Sequence, residues 1–336
     1  MLVLVAPLTG ASLPPPPDMG AVMSVIRIED VAYVRFSVPD LHEAQRFLSD
    51  FGLSSWRGSG ERVYACAQDG QPFSYAAVEG NPKFLALGLR AASLADLEAL
   101  AAFAGAECVG SEEPGGGRII QLTDPDGLRI EVVAGQAVSR QASSSAEPER
   151  NSSRRTARIG SVIRRAAGPA RVSRLGHVVL EVADFRRSEA WYKDRFGFLT
   201  SDAIISPGGE DVGAFLRSDR GDRPTDHHSL FLLQTPRAPA FGHAAFEVEG
   251  LDELMGGRDH LLQAGHRSSW GVGRHILGSQ IFDYWRDPWG FEFEHWTDGD
   301  LLTAAHPPGR SGLADLLRVQ WGAEHPLVQK TGRRPS

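Results

Sequence analysis

Residues 274–296 read RHILGSQIFDYWRDPWGFEFEHW, and the reading of this stretch decides the fold. It contains a turn, Arg286-Asp287-Pro288-Trp289-Gly290, in which Pro fixes φ and Gly supplies a positive φ. Directly after it, Phe291-Glu292-Phe293-Glu294 alternates, so a strand would carry the two Phe on one face and the two Glu on the other. A glutamate on an inward strand face is costly unless a cation meets it. For an isolated Glu the ordinary answer is a salt bridge or a solvated face. The histidines upstream change that answer.

Working outward, the same turn recurs earlier. LTDPDGLRIEVV ends one segment and WRDPWGFEFEHW ends another, which makes Glu131 and Glu294 equivalent positions. Lining up strand-then-helix starts gives four copies of one unit, a repeat that has to be found before any fold assignment. They begin at VAYVRFSVPD, KFLALGLRAA, LGHVVLEVAD and FGHAAFEVEG, each followed by a helical stretch. In the first helix Leu41, Ala44, Phe47, Leu48 and Phe51 form an apolar stripe. In the second, Ser93 is placed to cap the N-terminus. Short alternating strands follow each helix, for example VYACAQ, RIIQL, HSLFLLQ and QIFDYW.

The copies pair into halves. The expected organisation is an extension over 1–23, an N-terminal domain over 24–135, a linker over 136–172, a C-terminal domain over 173–300 and a tail over 301–336. The linker is rich in Ser, Arg, Ala and Pro without apolar periodicity, so it is expected to be flexible. In the tail SGLADLLRVQW suggests a helix, and TGRRPS a disordered end.

Composition is that of an ordinary soluble globular protein. The 336 residues are 42% hydrophobic and 23% charged, which fits two domains. Lys and Arg total 35 against 42 Asp and Glu, so nothing calls for a nucleic-acid partner. The two cysteines, Cys66 and Cys108, make no disulfide framework and point to a reducing, cytoplasmic setting. The first twenty residues lack the basic start and the apolar length of a signal peptide, and are read as an extension, with Met19 or Met23 an alternative start. No stretch reaches the ~18 apolar residues of a membrane span.

Chemistry concentrates in the second half, where ten of the eleven histidines lie. At the matching position of the first strand, the four copies are read as Tyr33, Phe84, His177 and His243. The N-terminal half therefore reads as a degenerate scaffold without metal, its one histidine, His42, a surface residue. A lone strand histidine is usually a core residue. Two at equivalent repeat positions, with a carboxylate on the closing strand, make a 2-His-1-carboxylate set that leaves positions open on Fe(II).

These repeats resemble the βαβββ modules of the vicinal oxygen chelate superfamily (glyoxalase, bleomycin resistance proteins, dioxygenases), and the C-terminal half resembles the catalytic domain of two-domain extradiol catechol dioxygenases. The implied fold is α+β, with four modules paired into two domains, each an open barrel-like sheet. The implied metal ligands are His177 in LGHVVLEV, His243 in FGHAAFEV and Glu294 in PWGFEFE. The resemblance further implies an acid–base histidine at His228, the second of the HH pair, and substrate contacts from His275 and Tyr284. It implies Fe(II), with Mn(II) also accepted by such ligands, a catechol-type substrate with dioxygen, and a homo-oligomer. Two other functions stay open. A glyoxalase-like lyase or isomerase would need neither the HH pair nor Tyr284, and a binding protein without catalysis would have a broken ligand set. His227 is expected on the opposite strand face and structural, and His260, His266, His295, His306 and His325 on the surface or in packing. Trp270, Trp285, Trp289 and Trp296 are read as core, and Asp287 as part of its turn.

Overall fold

The structure, a computed structural model, describes residues 24–139 and 149–326. The expected extension over 1–23, the centre of the linker and the polar terminal end lie outside the described residues.

In the N-terminal half one module comprises β1 (Ile28–Val38), α1 (Leu41–Phe51), β2 (Ser54–Gly58), β3 (Arg62–Cys66) and β4 (Tyr75–Glu79). Its pair comprises β5 (Lys83–Ala91), α2 (Leu94–Ala104), β6 (Val109–Gly110), β7 (Arg118–Thr123) and β8 (Arg129–Ala134). Local chemistry sets the helix ends. Asp40 accepts the backbone N–H of His42 and Glu43 at 2.7 and 3.0 Å, and Gly52 closes α1 at φ 105°. The buried side of α1 is the stripe read from sequence, Leu41, Ala44, Phe47, Leu48 and Phe51. Ser93 caps α2 through the Asp96 N–H at 3.0 Å.

The C-terminal half repeats the plan. It starts with β9 (Val172–Val182), α3 (Phe185–Phe196), β10 (Leu199–Ile205), β11 (Asp211–Arg217), β12 (Thr225–Asp226) and β13 (Leu230–Gln234). It continues with β14 (Ala240–Val248), α4 (Leu251–Gln263), β15 (Arg267–His275), β16 (Ile281–Arg286) and β17 (Glu292–Thr297). The sheets run β2-β3-β4-β1-β5-β8-β7-β6 and, with tail strands at both edges, β10-β11-β13-β9-β14-β17-β16-β15. In each, the two modules join through an antiparallel pair of first strands, β1 with β5 and β9 with β14. Both sheets are open.

The tail departs from the expected helix. After β18 (Leu301–Leu302), β19 (Gly309–Gly312) pairs with β10 at one sheet edge, and β20 (Val319–Gly322) pairs with β15 at the other. Between them only Leu313–Leu317 is helical, as a short 3-10 turn. Unpaired N–H and C=O groups on two sheet edges outweigh the helical preference of an eleven-residue segment. Residues 149–171 hold no helix or named strand, yet they are tied to the C-terminal half. Arg165 and Arg171 meet Glu253 at 3.2 and 3.1 Å.

The two halves share one core. Phe36 of β1 lies 4.6 Å from Phe291 and 5.1 Å from Phe241, ring to ring. Phe47 and Phe51 of α1 pack on Phe293. Alternation in β17 therefore commits Phe293 and His295 to the interdomain core, with the His295 Nε2 donating to the Phe51 carbonyl at 2.8 Å. Glu294 is left on the opposite face, the inner one.

The recurrent turn is tied by its own carboxylate. Asp287 Oδ1 accepts the N–H of Trp289 and Phe291 at 3.0 and 2.8 Å, as Asp124 does for Asp126 and Leu128. Gly290 and Gly127 hold φ near 90°, where a Cβ would strain the chain. Burial pushes the Asp287 carboxyl up to about 7, against its backbone donors. With a folded pKa above the unfolded one of about 3.9, its favourable contribution is complete at low pH and is lost as pH rises through about 7. Asp287→Asn keeps the acceptor and removes the charge. Its melting temperature relative to the parent should therefore be higher at about pH 8 than at about pH 5. An equal difference at both pH values would contradict the buried, protonated carboxyl. No helix among the described residues is long and apolar enough to cross a membrane.

Candidate active site

Three adjacent strands build the centre. His177 lies on β9, Ala245 faces it across β14, and Ala245 in turn pairs with Glu294 on β17. His243 stands two residues before Ala245. Alternation puts it on the face of Ala245 and Glu294, while a bulge between Phe241 and Ala244 leaves Phe241 on the other face. The two imidazole Nε2 atoms stand 3.3 Å (His177) and 3.2 Å (His243) from Glu294 Oε2. One ligand atom from each residue lies within 4.8 Å of the others, and among the described residues this is the group of three with that property.

The centre fits a cation. Both carboxylate oxygens of Glu294 and the His243 Nε2 are buried without a hydrogen-bond partner, so the short separations are contacts out of hydrogen-bond alignment. A fully buried carboxylate left in that state is costly. Ligand atoms about 2.1 Å from one ion and near right angles sit about 3 Å apart, close to the two separations from Glu294. The protonation states also suit metal binding. Burial would raise the Glu294 carboxyl, but the surrounding His177, His243 and His275 hold it well below the usual range. Burial lowers His177, opposed by Glu294, which favours the neutral imidazole.

Flanking groups extend the row on both sides. Tyr284 of β16 pairs with Glu294, and its hydroxyl lies 3.1 Å from the Nε2 of His275 at the end of β15. Burial and the Glu294 charge push Tyr284 well above its ordinary value, so it remains a protonated donor. On the other side, the His228 ring centre is 4.0 Å from that of His177. His228 is pushed well below the usual histidine value by burial, then by His177 and His227. The structure thus brings together all six sequence-identified site residues, His177, His243, Glu294, His228, His275 and Tyr284.

Two sequence readings of this region need correction. HH was read as part of a strand, with His227 facing away. Both histidines instead precede β13, in the bend after β12, where strand alternation does not apply, and His227 contacts His228. Sequence reasoning also passed over Arg174, whose guanidinium grips Asp226 at 2.6 and 2.9 Å just before that bend and lies over the Trp296 ring. A register shift in β9 between Leu175 and His177 brings Arg174 to the face that carries His177, and strand alternation alone would have placed it on the other.

The N-terminal half shows how the same frame serves without the histidines. Tyr33 pairs with Gly88 and Gly88 with Glu131, the register of His177, Ala245 and Glu294. The position matching His243 is therefore Ala86, not Phe84. Phe84 matches Phe241 and stacks on it at 4.8 Å. β5 and β14 bulge at equivalent points and keep one frame, so the misalignment comes from the apolar run itself, which offers no histidine to fix its offset. Glu131 is met by protein groups, Tyr33 Oη at 2.7 Å and the Arg35 guanidinium at 3.2 Å. Arg35 also meets Glu113 at 3.1 Å. A guanidinium occupies the role a cation would have.

Comparison with known proteins agrees with this architecture. Residues 174–295 match the Glyoxalase/Bleomycin resistance protein/Dioxygenase superfamily. Over 302 residues the chain is 32% identical to Metapyrocatechase 2 of Cupriavidus necator, covering 89% of this chain and 90% of that protein. The Mn(II)-bound glyoxalase of Novosphingobium aromaticivorans has the same fold, with a TM-score of 0.73 and 24% identity over 90% of this chain and 93% of that one. So does homoprotocatechuate 2,3-dioxygenase of Brevibacterium fuscum, with a TM-score of 0.74 and 18% identity over 93% and 94% of the two chains. The chain belongs to the glyoxalase/bleomycin resistance protein/dioxygenase superfamily, with the two-domain build of its extradiol dioxygenases.

Proposed function

We propose that this chain is an extradiol ring-cleaving dioxygenase of aromatic degradation, with a catechol-type substrate and dioxygen meeting at Fe(II) held by His177, His243 and Glu294. The observation that carries the reading is the convergence of those three side chains between His228 on one side and Tyr284 with His275 on the other, in a chain aligned almost end to end with a metapyrocatechase. When bound, the ferrous ion supplies open coordination positions and the electron conduit between catechol and dioxygen that side chains lack.

The chain's own residues supply the rest. Neutral His228 takes up the proton that a catechol hydroxyl releases and returns it later, general acid–base help of the kind a near-neutral imidazole gives. Tyr284 Oη donates a hydrogen bond toward the substrate oxygens, with His275 Nε2 holding the phenol in place, electrostatic help aimed where negative charge grows. Both oxygen atoms end in a ring-opened hydroxy-semialdehyde or keto acid. A glyoxalase-like lyase would share the ligand triad and the fold, but it leaves His228, Tyr284 and His275 without work.

The test is anaerobic reconstitution with Fe(II) or Mn(II), followed by catechol or 2,3-dihydroxybiphenyl and then air. One metal per chain and a yellow ring-cleavage product are expected, with His243→Ala losing both. A fully loaded chain that consumes no oxygen with any catechol would overturn the reading.

A further inference from the structure

The bend that carries His228 is anchored more elaborately than packing requires. His227 Nε2 lies 2.7 Å from Asp202 Oδ2, and His227 Nδ1 lies 3.1 Å from His228 Nδ1. The three side chains form one hydrogen-bonded row, and both His227 and Asp202 are fixed from behind. The His227 backbone N–H donates to the Asp300 carbonyl at 2.9 Å. Gly278 lies so close that a Cβ there would come within 3.0 Å of His227 Nδ1, and the Phe215 ring covers another side at 5.2 Å. Asp202 sits on β10 opposite Gly309 of the tail strand β19, and a Cβ on Gly309 would fall 2.0 Å from Asp202 Oδ1. The nearby Arg217 guanidinium is taken up by Ser201 Oγ and by the carbonyls of Thr200, Thr303 and His306.

We infer that Asp202 and His227 are positioning residues that set which nitrogen of His228 carries its proton. An ionised carboxylate only accepts, so Asp202 takes the His227 Nε2–H. In the Nε2–H tautomer, His227 presents a lone pair at Nδ1, which accepts the His228 Nδ1–H. That leaves the lone pair of His228 on Nε2, the nitrogen facing away from His227. Holding one tautomer spares the reaction an unfavourable equilibrium between two, as partners behind a working imidazole do elsewhere. The tail contributes directly, because glycine at 309 is what lets Asp202 reach His227.

The inference rests on the role given to His228 above, and its test separates the two. Nitrogen-15 spectra of the histidine-labelled, metal-free chain report each ring's tautomer without any turnover. In the parent, His227 is expected as the Nε2–H form and His228 as the Nδ1–H form. In Asp202→Ala both rings should become mixtures. Asp202→Asn, whose amide oxygen still accepts, should fall between, and it decides the matter if the alanine variant fails to fold. With iron loaded, kcat should fall about 10- to 100-fold in Asp202→Ala at unchanged iron content and nearly unchanged KM, and recover in part in Asp202→Asn. Parent-like tautomers in the variants would overturn the relay even in an active enzyme. An inactive parent with the expected tautomers would instead sink the enzymatic reading and leave the relay standing.

Discussion

Iron-loaded His228→Gln is expected to cleave catechol about 10²- to 10⁴-fold more slowly than the parent, the range of a lost general acid–base group. His228 is buried, beside His177 and outside the ligand triad, so its loss should leave the metal in place. Burial and two neighbouring imidazoles hold it neutral, the form that accepts a proton. Glutamine keeps much of the volume and polarity and removes the basic nitrogen. The loss should therefore appear in kcat with little change in substrate affinity. Single-turnover kinetics of ring opening, with iron content measured alongside, is the check. A parent-like rate would assign His228 to packing and pass the proton to His275.

The second large effect belongs to the half without the histidines. Glu131→Gln should lower stability by about 3 kcal/mol, because removing one partner of a buried ion pair leaves the other charge uncompensated. Arg35 is 7% exposed and Glu131 is 2% exposed, so solvent screens neither. Glu113 remains at 3.1 Å from Arg35 and keeps the cost at the lower end of that class. Metal stoichiometry and turnover of the folded variant should stay at parent values, since the metal-type cluster lies in the other half. Denaturant unfolding read beside iron content tests both clauses. Loss of a second equivalent of iron would mean that Glu131 is itself a ligand.

The four-copy repeat was legible because local physics leaves strong marks. The Asp-Pro-x-Gly turns need a positive φ at the glycine and a side chain accepting two backbone N–H groups, and both copies show this. Alternation in β17 announced that Glu294 and Phe293 would part company. The helix stripe of α1 and the Ser93 cap of α2 could be read position by position. His177, His243 and Glu294 came from the repeat, whereas His228, His275 and Tyr284 came from the family resemblance, and the frame that unites them follows from pairing the first strands of each half.

What failed had equally physical causes. The match of His243 is Ala86 and not Phe84, and an apolar run without a histidine holds nothing that fixes its offset against the other copies. The tail was read as a helix from its own apolar spacing. Its strands form only because two sheet edges, far apart in sequence, offer them partners.

The sequence by itself determined the modules and the turns, because each depends on neighbours within a few residues, and their recurrence along the chain marked the pairing and the candidate ligands. Only the tertiary structure decided what stands around those ligands. Asp202 and His227 are 25 residues apart and meet where the bend after β12 lies against β10. Arg35 reaches Glu131 across 96 residues and fills the cation's role in one half. Such contacts are fixed by where strands register and bend, and the energy that fixes them comes from burial shared across both halves rather than from any local pattern.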